Sequence, residues 1–367
     1  MLKVAHIARI LVGVEFIFSG FVKVVDPYGT GLKLQEYFEV FATDLPAFSS
    51  FFTLLAHQSQ LLSLIFCASE LILGVALLFS FQMKKTAWIV LAFMTFFTFL
   101  TFYSAFFNKV TDCGCFGDFL KLKPWHSFYK DIISMAVILV FFIYRDAFKT
   151  PRISHYFVIG SSIISFAIGL YAINFLPPLD FLAYAKGNNI QKLMEPTGVK
   201  PDIVYIFQDK VNNKKIESRE YLMDSNFEYI ESYTTNEDEI TPKITDYSLS
   251  DTLGNDWTTT SFEGNKILIT FKKVKTVHRD TWKRIEQLYS NTSKNPSFDI
   301  VFVTSDVPQY LSDELKKRNI QAPIFTIDEK VLKTMARVNP VVYFLQNGTV
   351  INKWGYRTIP EKITRTP

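Results

Sequence analysis

Asp112-Cys113-Gly114-Cys115-Phe116-Gly117-Asp118 is a short polar loop held between two long apolar runs, Thr86 to Phe107 and Phe128 to Tyr144. A bilayer-crossing helix needs about 20 mostly apolar residues. Working outward from the loop, Val4 to Val22, Leu61 to Phe81 and Tyr156 to Leu176 also reach that standard, which predicts five crossings. The chain of 367 residues is 49% hydrophobic with 36 Phe, yet 20% charged. That mixture predicts a membrane domain joined to a water-soluble one. A net charge of +4, with basic residues scattered rather than gathered in a stripe, excludes nucleic acid as a partner class.

The first run could be read as a cleaved signal peptide, since Lys3 and Arg9 precede apolar residues ending in Ser19-Gly20. Glu15 interrupts it, which favours a retained helix. Lys3, Arg9, Lys84, Lys85, Arg145, Lys149 and Arg152 crowd very short flanks, while Lys109, Lys121, Lys123 and Lys130 weaken the bias. The positive-inside rule then places the N-terminus in the cytoplasm and the Cys-Gly-Cys loop and everything after Leu176 outside it. The expected location is a bacterial cytoplasmic (inner) membrane, with the C-terminal domain in a periplasm that permits disulfides. Between the first two runs, Leu34, Phe38, Phe41 and Leu45 repeat at helical steps, predicting a helix that Pro46 stops.

Pro177-Pro178 ends the last crossing, and Ala183 to Pro201 reads as a polar connector. Asp202 to Phe207 and Lys215 to Tyr221 then flank Asn212-Asn213 like a hairpin, and the charged run Glu231 to Lys243 carries no core signal. After that, strands at Lys266 to Phe271, Phe298 to Thr304, Val341 to Leu345 and Val350 to Gly355 alternate with helices at Asp280 to Tyr289 and Ser312 to Arg318. This is an α/β pattern. The expected domains are residues 1–150 in the membrane, 151–201 as a fifth helix and linker, and 202–367 outside.

Four residues draw attention as chemistry. Burying an acidic residue at a helix centre costs about 2.5 to 3.5 kcal/mol on insertion scales, so Glu15 and Glu70 are functional candidates, against the alternative of a polar clasp between helices. Glu15 would then meet Ser19, and Glu70 would reach Arg9 or Lys23. Cys113 and Cys115 are separated by one glycine, and a disulfide across so small a ring departs from ordinary geometry and is easily reduced. A redox pair and a permanent loop clip both fit. Metal binding is the weaker reading, because only His126 is close in sequence. The third cysteine, Cys67, reads as a small packing residue.

Arg9, Gly13, Phe16, Gly20 and Lys23 share one helix face, and the run from Ala8 to Pro27 resembles the opening of the DoxX superfamily of four-helix membrane proteins. Glu70-Leu-Ile-Leu-Gly74 resembles that family's second-helix motif, and Cys113-Gly-Cys115-Phe-Gly117 resembles the MauE branch, whose members are tied to disulfide formation in partner proteins. The resemblance spans about residues 4 to 145 and implies a quinone as electron acceptor. From about residue 246, Asp246 to Gly254 and Phe262 to Phe271 resemble the opening of peroxiredoxin and TlpA-type thioredoxin folds, and Val338 to Gly348 resembles their cis-proline strand. Thr276 and Arg279 stand where that family carries its two cysteines, so the domain has no dithiol. What remains is a groove beside Asn339-Pro340, facing Thr276 to Arg279, in which an extracytoplasmic partner would bind.

The expected architecture is therefore an α-helical bundle, DoxX-like with a fifth helix, carrying a C-terminal α/β thioredoxin-like domain. Two functions follow. One is a quinone-linked thiol–disulfide oxidoreductase using Cys113 and Cys115. The other is a non-enzymatic membrane scaffold that docks a partner outside the cytoplasm.

Overall fold

In the computed structural model, which describes residues 1–110, 117, 119 and 122–364, the N-terminal half is entirely helical. It runs α1 (Leu2–Val25), α2 (Pro27–Asp44), α3 (Ser49–His57), α4 (Ser59–Leu78), α5 (Met83–Phe107), α6 (Pro124–Ile143) and α7 (Ile153–Asn174). Pro27 and Pro124 open α2 and α6, where a fixed φ suits the first helical turn and the missing N–H costs nothing. Helices α4 to α7 are long and apolar enough to cross a bilayer. The first expected crossing, α1, is not among these four, and a fifth is counted only if α2 and residues 46–57, bent by 120°, form one broken span.

Packing explains how α1 nonetheless belongs to the bundle. Its Arg9 and Lys23 are buried, whereas Val4, Ile7, Ile10, Leu11, Val14, Phe18 and Phe21 are exposed, so the outer face is apolar and the charges turn inward. Helix α1 packs chiefly on α4. The two backbones meet where side chains are missing: a Cβ at Gly20 would lie 2.5 Å from the Leu71 nitrogen, and one at Gly74 would lie 2.7 Å from the Ile17 nitrogen.

The C-terminal half continues with α8 (Ile190–Met194), β1 (Ile203–Asp209), β2 (Lys214–Ser218), β3 (Phe227–Thr234), α9 (Glu237–Ile240), β4 (Ser250–Asp251) and β5 (Asn265–Phe271). It closes with α10 (Arg279–Thr292), β6 (Asp299–Thr304), α11 (Pro308–Lys317), β7 (Ile324–Thr326), α12 (Glu329–Met335), β8 (Val341–Gln346) and β9 (Thr349–Gly355). Six strands form one sheet in the order β4-β7-β6-β5-β8-β9. Strands β5, β6 and β7 run parallel, and β8 and β9 complete the sheet antiparallel. Strand β5 is buried at every position, as a central strand covered on both faces must be. Trp282, Ile285 and Leu288 of α10 and Leu311 and Leu315 of α11 cover one face, while Val331, Leu332 and Met335 of α12 cover the other with Ile190 and Tyr247. The Asn339–Pro340 bond is cis, at the entrance to β8. This is the expected thioredoxin-like arrangement.

Three features differ from the sequence expectation. Residues 183–201 are not a free connector, because Tyr184 and Ile190 enter the core and Asn189 bonds to Asn347 and Thr349. The charged run contains the second half of β3, which pairs with β1 beside β2 to form a small second sheet. Its six inner positions are exposed, so no buried alternation marks it. Strand β7 has three residues, too few for a period to show.

Candidate functional site

Charged and polar side chains from α1, α4, α5 and α6 meet inside the bundle. Lys23 donates to Glu70 at 2.7 Å, and the two side chains are 6% and 9% exposed. Two turns along α1, Glu15 accepts from Lys130 at 3.4 Å, and Ser134 donates to both of its oxygens at 3.0 and 2.9 Å. Lys130 also bonds Asp131 at 2.7 Å, and the Thr101 hydroxyl donates to Asp131 at 2.9 Å. The Glu15–Lys130 pair keeps 27% and 28% of its side-chain surface accessible. One pair is therefore sealed and the other is reachable.

The expected Glu70–Lys23 contact is present, and Arg9 instead donates to the carbonyls of Leu77 and Leu78. Lys130, with Asp131 beside it, is not an expected partner of Glu15. Their sequence signal was a charged dipeptide inside an otherwise apolar run. Phe16, Phe93, Met94 and Phe97 join Glu15, Lys23, Glu70, Lys130 and Asp131 around a cavity of about 30 Å³. A cavity that takes a benzene ring measures about 150 Å³. The quinone that the resemblance implies does not fit there.

Cys113 and Cys115 lie outside the described residues. Gly117 and Phe119, which follow them in sequence, are described: a Cβ at Gly117, whose φ is +56°, would lie 3.9 Å from the Lys23 side chain. Phe119 packs against Phe18 of α1 and Phe181, which follows α7. Cys67 is fully buried, with the Ser63 hydroxyl 3.8 Å from its sulfur. That seclusion fits a packing residue.

In the C-terminal domain, Asn339 is brought together with the loop that replaces the dithiol. Its side-chain amide donates to Lys273 O at 2.7 Å and Thr276 Oγ1 at 3.0 Å, and its oxygen accepts from Lys272 N at 2.9 Å. Pro340 is buried beneath it. Arg279, at the start of α10, opens instead onto a surface cleft of about 440 Å³ with Lys275, Trp282, Tyr310 and Arg318.

The other side of this edge rests on the membrane domain. Arg337 pairs with Asp26 at 2.8 Å, and Lys272 Nζ donates to Tyr28 OH at 2.9 Å and Arg337 O at 3.1 Å. Burial, reinforced by Arg337 and Lys333 and opposed by Asp26, holds Lys272 down at about 7. No periodicity or motif announces these four residues, because the contact joins positions 311 apart in the chain.

Residues 1–144 match the family of methylamine utilisation protein MauE. The N-terminal region is a MauE-like membrane domain. No curated protein matches the chain. Among solved structures, a secreted disulfide oxidoreductase from Mycobacterium tuberculosis is similar at 10% identity, covering 29% of this chain and 81% of that one with a TM-score of 0.25. A putative protein disulfide isomerase from Bacteroides thetaiotaomicron is similar at 15% identity over 32% of this chain and 78% of that one, TM-score 0.27. Peroxiredoxin Q from Xanthomonas campestris is similar at 14% identity over 31% and 82%, TM-score 0.25. The thioredoxin-like reading of the C-terminal domain rests on its own strand order and helix placement. The chain thus joins a MauE-like membrane domain to a thioredoxin-like domain that contains no cysteine.

Proposed function

We propose that this chain is a membrane thiol–disulfide redox protein in which Cys113 and Cys115 exchange a disulfide with an extracytoplasmic protein, while the thioredoxin-like domain binds without catalysing. The observation that supports the reading is that Gly117 and Phe119, two described residues that follow the motif in sequence, lie against Lys23 and Phe18 of α1. Asp26, one turn beyond Lys23, is where the groove edge of the thioredoxin-like domain docks. The exchange balances by itself: two partner thiols become one disulfide, and the Cys113–Cys115 disulfide becomes two thiols. A quinone that reoxidises the pair docks on a surface other than the small cavity. In this reading the C-terminal domain lies in the periplasm, and a reporter fused after Pro201 is active only there.

The test is a mixed disulfide. In intact cells, a mild alkylating reagent labels the pair only after reduction, and Cys115→Ser traps a covalent adduct with an exported protein through Cys113, or Cys113→Ser does so through Cys115. The scaffold reading predicts that the double Ser variant retains full abundance and full biological activity, and that outcome overturns the redox proposal.

A further inference from the structure

We propose that the C-terminal domain recognises an exported protein through the cleft between the start of α10 and α11, and that the segment it takes is an acidic peptide with an apolar side chain between its carboxylates. The inference rests on the reading that this domain binds a partner, and it does not require disulfide exchange. The edge beside Pro340 is already occupied by the chain itself. Arg337 is held by Asp26 at 2.8 Å, and Lys272 lies over the Tyr28 ring, 4.1 Å from its centroid, with its amine bonded to the Tyr28 hydroxyl. Across the 273–276 loop from that edge, the cleft of about 440 Å³ is open, and no hydrogen bond or ion pair among the described residues ties its lining to the membrane domain. That volume falls in the range of sites that enclose small ligands, about 300–1,000 Å³.

The lining sets the chemistry of the occupant. Val274, Val277 and Trp282 supply apolar surface, and the Trp282 ring is held by stacking on Phe271 at 5.1 Å and by the Arg318 guanidinium at 4.3 Å. Two of the four lining cations already have counter-ions: Arg318 has Glu286 at 3.0 Å and Glu314, and Lys317 has Glu314 at 2.7 Å. The other two do not. Lys275 lies over the Tyr310 ring, 3.7 Å from its centroid, with no carboxylate beside it, and Arg279 has no hydrogen-bond or ion-pair partner among the described residues. Against them stands one lining carboxylate without a cation, Asp313, which accepts from Gln309 at 2.7 Å. Lys275 and Arg279 offer charge-assisted hydrogen bonds to carboxylates. Asp313 accepts N–H groups, which an extended backbone supplies and a phosphate does not. A polyphosphate would be repelled by Asp313 and Glu314, whereas a peptide with an apolar residue between acidic ones satisfies the cations, the carboxylate and the apolar surface together.

The experiment uses the full chain in detergent, labelled with 5-fluorotryptophan, and follows the Trp282 fluorine resonance, assigned by its loss in Trp282→Phe. The probe is a capped pentapeptide with a glutamate on either side of a leucine. The expected result is a saturable shift of that resonance, absent with the same peptide carrying glutamine for glutamate. Affinity should fall about tenfold in Arg279→Gln and in Lys275→Gln, as for the loss of one charge-assisted hydrogen bond, and less in Arg279→Lys. Lys333→Gln removes a cation on the groove side, where the Lys333 carbonyl accepts from Arg337, and should leave the affinity unchanged. The resonances of the other four tryptophans report that each variant is folded. No saturable shift, equal binding of the glutamine peptide, or the same shift from inorganic phosphate at the same concentration overturns the proposal. So does a loss of affinity in Lys333→Gln that Arg279→Gln does not share, which returns recognition to the cis-proline groove. The readout involves neither Cys113 nor Cys115, so a negative result here leaves disulfide exchange standing, and a failure to trap a mixed disulfide leaves the cleft standing.

Discussion

The membrane bundle and the thioredoxin-like domain put opposite residues inside. In the C-terminal domain, β5 is buried throughout and most charged side chains lie at the surface, whereas in the bundle Arg9, Lys23, Glu70 and Asp131 are buried and Ile, Leu and Phe line the outside. The difference is one of solvent. Water rewards hiding apolar area, while lipid is as apolar as leucine and leaves close packing and polar contacts to hold helices together. The Lys23–Glu70 and Glu15–Lys130 pairs sharpen the point, because the first is sealed between helices and the second remains accessible.

The largest expected effect comes from breaking the sealed pair. Removing one partner of a buried pair leaves a charge without compensation and costs about 3–5 kcal/mol. Glu70→Gln and Lys23→Met should each lower the thermal midpoint and cellular abundance sharply, and Lys23→Met with Glu70→Leu should recover much of the loss. A double variant no better than the singles would mean that the pair does not act as a unit.

Next is the contact of α1 with α4. A methyl at Gly20 meets backbone rather than a flexible side chain, so Gly20→Ala should cost about 1–3 kcal/mol as overpacking. Thermal unfolding of the detergent-solubilised chain measures it. Glu15→Gln should cost less, about 1 kcal/mol or under, because its pair keeps a quarter of its surface open and exposed pairs contribute little. Equal losses for Glu15→Gln and Glu70→Gln would erase the distinction between sealed and accessible pairs.

A pH dependence tests the seam between the two regions. Lys272 is held near 7 in the folded chain, against 10.5 for an unperturbed lysine, so the unfolded chain binds more protons between those values. Stability should therefore rise with pH from about 7 toward 10, with the penalty fully present below about 7. Tryptophan-monitored unfolding at pH 7 and 9 should show this rise in the wild type and a flatter response in Lys272→Met. An unchanged slope would mean that the seam does not depend on that amine.

Much of this organisation is legible along the chain. Apolar runs of bilayer length gave the helices α4 to α7, and alternating strands and helices gave the thioredoxin-like order, because both signals are local and periodic. Glu15 and Glu70 stood out for the same reason: a charge in an apolar run has no neighbour in sequence to excuse it. Cys113 and Cys115 were visible as a motif, and they remain a sequence observation. What sequence could not supply was partnership. Glu15 meets Lys130, and Asp26 meets Arg337, across separations of 115 and 311 residues, and no residue pattern encodes which distant charge a fold will bring near. Strand β3 was hidden because exposure removes alternation. The sequence determined which segments enter lipid or water, since transfer free energy depends on composition. Only the tertiary structure decided which charges are sealed, which stay accessible, and which edge of the C-terminal domain rests on the membrane domain, since those depend on distance.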